Sequence, residues 1–220
     1  MEEKRSFPGS HDVSELLKKH SHRSFVGDNP RWSLVDGSLR YSLSLPSFSG
    51  GRPLSCSLIY DSDMPYPIKE SFKGLPERFK ISCFALMIEC QDSFAFISEQ
   101  GDVILFLKYI DQGDVFYHDD EGLGLIYDPN QNRIDDGFGN ALFFDDQYRL
   151  IKKSFSDEYI ISYQYGSDGY LESIQDETGR KRRIVFSYFS GKLSTVTSYY
   201  GSSAIQTMAF HYSKKVVGNT

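Results

Sequence analysis

The stretch Tyr165-Gly-Ser-Asp-Gly-Tyr-Leu171 decides the fold, because its pattern recurs in the C-terminal half of the chain. Twenty-one residues earlier, Phe144-Asp-Asp-Gln-Tyr-Arg-Leu150 has the same interval from an aromatic residue to a leucine. A third copy, Phe186-Ser-Tyr-Phe-Ser-Gly-Lys-Leu193, is longer by one residue. A repeat of this length is too short for a domain and fits two strands with two turns. Such repeats bury a face only by stacking on their neighbours.

A second signature lies between the copies, in Ile134-Asp-Asp-Gly-Phe-Gly139 and Ile174-Gln-Asp-Glu-Thr-Gly179. Glycine and aspartate in these segments tolerate the backbone conformations that a tight reversal needs. We therefore predict antiparallel hairpins with turns at residues 166–169 and near residues 190–191. The residues predicted to form turns are Gly166, Asp168, Gly169, Gly179 and Gly191.

The composition also favours an all-β chain. Aromatic residues make up 15% of the sequence, with fifteen Tyr and seventeen Phe, and these residues suit a pleated, half-buried surface. Eighteen Gly and eight Pro, placed between short apolar runs, supply the turns. The net charge of −6 argues against a protein that coats nucleic acid or an anionic membrane, so no nucleic-acid partner is predicted.

The cysteine count and the N-terminal sequence bear on disulfide formation and on the location of the protein. Cys56, Cys83 and Cys90 leave one cysteine unpaired in any pairing, which predicts buried free thiols and no disulfide framework. Met1-Glu-Glu-Lys-Arg5 lacks the apolar core of a signal peptide, and no run approaches the roughly eighteen apolar residues of a membrane helix. We expect a protein that is not inserted in a membrane and is either cytoplasmic or exported by a specialised system.

Two regions are predicted along the chain. Residues 1–30 form a polar segment, in which a capping-box pattern predicts a short helix over residues 12–20. Residues 31–220 form the β-domain. There, apolar residues alternate over 39–45 and again over 54–60, which predicts a leading hairpin with one buried face.

The middle of the chain supplies further strands. Residues 79–89 are apolar on both parities, a pattern that is ambiguous between a buried strand and a helix. The length and the neighbours of this segment favour a strand. Shorter strands are predicted at 93–98, 103–109 and 115–117, separated by Gly- and Asp-rich turns. Since no interior linker interrupts them, we predict one continuous sheet assembly that is open or partly curled.

These residues resemble the YD-repeat family, also called Rhs, which includes the shells of bacterial toxin complexes and the teneurins. The similarity is carried by Tyr165–Leu171, Ile174–Arg180 and Phe186–Tyr188, with a leading hairpin in Asp36–Leu39 and Leu54–Ser62. The resemblance implies a long β-hairpin sheet that spirals into a hollow shell around a cargo. It implies further shell segments, a second copy or a toxin-like cargo as partners.

The chain also departs from that family. Family shells contain many more repeats, and the C-terminal core motif that caps the shell has no counterpart here. The resemblance therefore implies an N-terminal portion of a shell, or a short relative that encloses nothing alone.

Candidate catalytic and metal sites are weak. Asp128-Pro-Asn-Gln-Asn132 has the spacing of a calcium loop, but Arg133 and Gly139 stand where Gly and Glu are required. His20 and His22 lack further ligands at a structural-site spacing. Adjacent acidic residues such as Asp119 and Asp120 point to opposite faces of a strand and cannot act as two facing acids. No metal, cofactor or enzymatic activity is predicted.

The preferred interpretation is a non-enzymatic structural or interaction module of shell type. An alternative is a carbohydrate-binding module, in which exposed tyrosines stack against sugar rings. An extracellular glycosidase of β architecture is a third and weaker alternative. The candidate sugar-binding residues are Tyr163, Tyr165, Tyr170, Tyr199 and Tyr200. The discriminating feature is whether such tyrosines lie exposed in one row, because aromatics in β-repeats more often pack on each other.

Overall fold

A computed structural model describes residues 25–26, 31–33, 39–49, 52–62, 73–76, 78–99, 102–111 and 113–212, and these residues form an all-β fold. The strands are β1 (Phe25–Val26), β2 (Arg31–Ser33), β3 (Leu39–Ser44), β4 (Ser57–Asp61), β5 (Phe79–Ile81), β6 (Leu86–Glu89), β7 (Ser93–Ile97), β8 (Val103–Asp111), β9 (Asp114–Asp119), β10 (Ile126–Asp128), β11 (Arg133–Asp135), β12 (Ala141–Phe144), β13 (Leu150–Ser154), β14 (Ile160–Tyr165), β15 (Leu171–Asp176), β16 (Arg182–Phe189), β17 (Lys192–Tyr200) and β18 (Ser203–Ala209).

The strands form two sheets in which each strand pairs antiparallel with its neighbours in the sequence. Strands β1 to β5 form the first sheet in chain order, and β6 to β18 form the second. The second sheet is open, because its end strands β6 and β18 do not pair with each other. The prediction of antiparallel hairpins in an open sheet is thus confirmed. The short helix predicted at residues 12–20 lies outside the described residues.

Two predictions about the middle of the chain are wrong. The structure contains two sheets where one continuous assembly was predicted, and residues 79–89 form two strands in different sheets. A turn separates these strands, and within it Phe84 N donates to Ile81 O at 3.1 Å. The continuous apolar run arises because both strands are buried, so hydrophobicity alone did not show the turn between them.

The second sheet is strongly curved at its start. Strand β6 lies six strands away from β12 in the sheet order, a separation of roughly 30 Å in a flat sheet. Yet Met87 N of β6 donates to Tyr148 O, in the β12–β13 turn, at 3.1 Å. The first part of the sheet therefore folds back on itself.

Aromatic side chains fill the inside of this bend. The Phe94 ring lies 4.8 Å from Tyr117, 4.7 Å from Tyr127 and 5.9 Å from Tyr148, all in edge-on arrangements. Phe96 contacts Phe144 in the same manner, with ring centroids 6.2 Å apart. Edge-to-face pairs of this kind stabilise by about 0.5–1.5 kcal/mol each beyond their buried area. Aromatic residues thus pack the inside of the bend in the second sheet.

The leading hairpin forms as predicted, but its first strand, β3, is less buried than the alternation of apolar residues predicts. Strand β3 pairs with β4 in a register that places Leu43 opposite Leu58. Tyr41 and Leu43 are 42% and 36% exposed, whereas Leu45 is buried. In the described residues β2 pairs with β3 only at Leu39 and Arg40, so the rest of β3 is a sheet edge.

Three repeat hairpins place an aromatic residue directly opposite a buried leucine. The pairs are Phe144 with Leu150, Tyr165 with Leu171, and Tyr188 with Leu193. In each hairpin the register shifts next to the aromatic residue, as at a β-bulge. This corrects the third copy, whose equivalent aromatic is Tyr188 and not Phe186. The interval from the aromatic residue to the leucine is shorter in this third copy than in the other two. The reason is that Ser190 and Gly191, with φ of 49° and 73°, make a two-residue turn.

The predicted turns are confirmed at both places in the repeat region. Residues 166–169 connect β14 to β15, where Gly169 N donates to Gly166 O at 2.9 Å. Gly169 has φ of +84°, and Gly179 also lies at positive φ. Gly166 does not, so its position in the turn does not require glycine for backbone reasons.

Substitution of Gly169 by valine is expected to destabilise the chain by about 1–3 kcal/mol, because a β-branched residue is strained at positive φ. The added Cβ would also lie 3.3 Å from Lys73 Nζ. The effect is measured by comparing the melting temperatures of Gly169→Val and Ser167→Val. Ser167 is an exposed residue of the same turn and lies outside the positive-φ region. Equal melting temperatures for the two variants would contradict the assigned turn geometry.

Candidate functional site

A ladder of tyrosine hydroxyls connects successive repeats. Tyr165 donates to the carbonyl of Leu150 at 3.0 Å, and Tyr188 donates to that of Leu171 at 2.9 Å. Tyr212 donates to the carbonyl of Leu193 at 2.8 Å. Each of these bonds joins a tyrosine to the leucine on the second strand of the preceding hairpin. We call Tyr165, Tyr188 and Tyr212 the tyrosine ladder.

The residue before each of these leucines covers the ring of the ladder tyrosine. The Arg149 guanidinium lies 4.5 Å from the Tyr165 ring, and Lys192 Nζ lies 5.3 Å from the Tyr212 ring. Tyr170 takes the same position against Tyr188, with ring centroids 4.6 Å apart. Cations over aromatic faces and paired rings both stabilise such contacts. The ladder is therefore a repeating structural unit with three equivalent copies.

The ladder tyrosines are protonated at neutral pH. Desolvation raises the pKa of Tyr165, Tyr188 and Tyr212 above the ordinary value of a phenol, although Tyr165 and Tyr188 are half-buried and Tyr212 is 41% exposed. The three hydroxyls are therefore hydrogen-bond donors at neutral pH. This arrangement is suited to holding strands together.

The candidate sugar-binding tyrosines do not lie in one exposed row. Tyr163 is buried, and Tyr165 belongs to the ladder. Tyr170 packs on Tyr188, and the Arg183 guanidinium lies 5.4 Å from the half-buried Tyr199 ring. Of the five, Tyr200 is exposed, at 57%. This geometry does not favour a flat platform for sugar rings.

A segment of the chain before β5 lies over Tyr170 and Tyr188. The carbonyl of Gly74 accepts the Leu193 amide at 2.7 Å. A Cβ at Gly74 would lie 2.5 Å from the Tyr188 ring, so only glycine fits there without movement. Beside it is an open depression of about 610 Å³, which Tyr170, Tyr188 and Glu172 help to line. Sequence periodicity could not show this contact, because the two segments lie over one hundred residues apart.

Acidic residues at the turns act on the backbone. The Asp136 carboxylate accepts the amides of Phe138 and Asn140 at 2.8 and 3.0 Å. Although partial desolvation raises the pKa of Asp136, hydrogen bonds from Asn140 and from Phe138 N lower it overall. Asp119 and Asp145 accept turn amides in the same way. Within the described residues, no three His, Cys, Asp or Glu side chains converge on a metal position.

Strand β18 is an edge of the second sheet in the part of the chain that the structure describes. It pairs with β17 on one side, and no other described strand lies beside it. Nearly all of its side chains are exposed, including Ile205 at 60%. Ser203 to Phe210 contains no charged residue and no proline, the features that commonly protect sheet edges.

The hydrogen-bond register shows which β18 amides face outward. Phe210 N donates to Ser194 O at 2.8 Å, and residues of an antiparallel pair alternate between bonded and non-bonded positions. Thr207 and Ala209 therefore direct their amides away from β17. The close approach of the Thr197 and Thr207 hydroxyls, at 3.1 Å, agrees with a non-bonded pair. These two amides form the candidate pairing edge.

No protein-family model matches this sequence, and no curated protein matches it significantly. The described residues include no helix of the length and apolar character that a membrane crossing requires. The assignment of function therefore depends on the geometry of the repeats and of the candidate pairing edge.

Proposed function

We propose that this chain is a non-enzymatic structural module that resembles part of a toxin-encapsulating YD-repeat shell. Its partners are strands added at the β18 edge, supplied by further shell segments or by a second copy. A toxin-like cargo is the molecule that such a shell would enclose. The observation that carries the proposal is the tyrosine ladder, which repeats along the sheet and ends on Tyr212 at the candidate pairing edge.

The ladder supports this role because its tyrosines connect successive hairpins. Tyr165 and Tyr188 both bond backward to an earlier leucine and pair forward with the leucine of their own hairpin. Tyr212 makes the backward bond, but no described leucine lies opposite it. A sheet built in this way grows by adding hairpins in a defined register, as expected of a shell wall.

The edge itself supports pairing with another chain. Unpaired N–H and C=O groups along an uncharged strand are a template for strand addition. The ladder tyrosines donate to backbone carbonyls and the turn aspartates accept backbone amides, which agrees with a structural role.

Replacement of Ala209 by proline is expected to abolish association of this chain with itself, because proline removes an amide that faces the open edge. Sedimentation velocity over a range of concentrations should show wild-type chains forming dimers and Ala209→Pro remaining monomeric. Ala209→Val is the matched control, since it keeps the amide and should still associate. At concentrations where all three proteins are monomeric, thermal melting should be similar, because the lost amide makes no bond to β17.

Hydrogen exchange on the same samples locates the contact. The Thr207 and Ala209 amides should become protected as concentration rises. A monomer in which these amides exchange freely at every concentration would contradict pairing between copies. A monomer in which they are already protected would contradict the open edge itself.

A further inference from the structure

Two buried cysteines lie beside the hydrogen bond that joins the start of β4 to the residue after β5. Cys56 immediately precedes β4, and Cys83 lies between β5 and β6. The β4–β5 register places Leu58 opposite Ile81, and Ser82 N donates to Ser57 O at 2.8 Å. Cys56 and Cys83 are the next residues beyond this hydrogen-bonded pair, and Cys83 lies in the turn that follows β5.

Both cysteines lie in the main core. Cys83 is 5% exposed and Cys56 is 3% exposed. Opposed residues of an antiparallel pair have Cβ atoms about 4.5–5.5 Å apart, and a disulfide needs about 3.5–4.5 Å. A small adjustment of the two side chains is therefore enough to join the sulfur atoms.

The third cysteine lies in a different environment. Cys90 follows β6, is half-buried, and its Sγ lies 3.7 Å from Ile88 O. It packs against the apolar cluster of Phe84 and Leu86, whereas Cys56 and Cys83 belong to the main core. The odd number of cysteines thus resolves into one facing pair and one separate thiol.

We propose that Cys56 and Cys83 form a reversible disulfide that staples the crossing between the two sheets. A low-molecular-weight disulfide such as oxidised glutathione is the oxidant. One cysteine thiolate attacks it and releases one glutathione thiolate, leaving a mixed disulfide. The second cysteine thiolate attacks the protein sulfur of that mixed disulfide and releases the second glutathione. The protein loses two hydrogens, and the glutathione disulfide is reduced to two thiols.

Burial determines when this exchange takes place. It raises the pKa of the Cys83 thiol, so little thiolate is present in the folded protein, and the oxidant has poor access. The bridge therefore forms during folding or local opening and is protected once the fold closes. The same burial slows reduction of the bridge in the closed fold, so the bridge is reduced when the fold opens.

The test is refolding of the full chain in a glutathione redox buffer, followed by thiol counting in denaturant and peptide mapping by mass spectrometry. One bridge linking the Cys56 and Cys83 peptides, with Cys90 free, is the expected result. Cys90→Ser should form the same bridge. The bridged protein should show an unfolding equilibrium constant about a hundred-fold lower than the same protein after reduction.

Other outcomes overturn the proposal. Three free thiols after oxidative refolding would show that the pair does not react, and a bridge that includes Cys90 would show that the facing register is incorrect. Because mapping is done on the unsubstituted chain, the result does not depend on whether a Cys56 or Cys83 variant folds. A Cys56–Cys83 bridge that leaves the unfolding midpoint in urea unchanged would contradict its role as a staple.

Discussion

Arg182→Ala is expected to destabilise the fold by about 3–5 kcal/mol, because it leaves a buried carboxylate without its partner. Arg182 Nε donates to Asp176 Oδ2 at 2.8 Å, and Nη1 donates to the carbonyl of Arg52 at 2.7 Å. Nη2 reaches the Tyr159 hydroxyl at 3.3 Å. The side chain thus joins β15 and β16 to the loop between β3 and β4. Arg182 and Arg52 are 130 residues apart in the sequence.

Urea unfolding of Arg182→Ala and Arg180→Ala at neutral pH tests this expectation, since Arg180 is an exposed neighbour. Although burial raises the pKa of Asp176, hydrogen bonds from Thr178 and Arg182 lower it overall. A lowered carboxyl pKa stabilises the fold above the pKa of the unfolded chain, and this contribution is lost as pH falls through the folded value. Part of that acid dependence should disappear in Arg182→Ala. Equal stability of the two variants would show that the ion pair is unimportant.

Lys80→Met is expected to stabilise the chain at neutral pH and to remove a rise in stability between about pH 7 and pH 10. Lys80 is buried, and its Nζ donates to the Glu99 carbonyl at 3.0 Å. Burial, with a smaller contribution from Arg40, lowers the pKa of Lys80 from 10.5 to about 7, against the opposing charges of Asp61, Asp102 and Glu99. At about 1.4 kcal/mol per pKa unit, the shift corresponds to roughly 5 kcal/mol.

The sign follows from proton counting. Between the folded and unfolded pKa values, the unfolded chain holds a proton that the folded chain lacks, so the free energy of unfolding rises with pH. Below about pH 7 the fold carries the full cost of a buried ammonium, and above 10.5 that cost is absent.

Urea unfolding at pH 6, 7.5 and 9 measures this difference, with Lys108→Met as control, because Lys108 is exposed on β8. At pH 6 we expect Lys80→Met to be more stable than wild type by about 1–3 kcal/mol, since the variant also leaves the Glu99 carbonyl without its donor. The advantage should shrink at pH 9. An advantage that does not change with pH would contradict a lysine held neutral by burial.

The all-β class, the repeat hairpins and the turn near Gly169 could be predicted from the sequence because they depend on local properties. A positive-φ turn needs glycine at a given position, and alternation of apolar residues follows directly from strand geometry. The same reasoning placed the third repeat at Phe186, because spacing alone did not reveal the two-residue turn that makes Tyr188 its equivalent.

The sequence by itself determined that this chain forms antiparallel hairpins with turns at residues 166–169 and near 190–191, because strand period and turn chemistry act between near neighbours. Only the tertiary structure decided which aromatic residue lies opposite each repeat leucine, which tyrosines are covered, that two sheets form, and that Cys56 and Cys83 lie in one core. These features depend on contacts between distant segments, such as the Gly74 carbonyl with the Leu193 amide and Arg182 with the Arg52 carbonyl. Burial is a property of the assembled fold, so a tyrosine that packs on a neighbour and one that faces solvent are alike in the sequence.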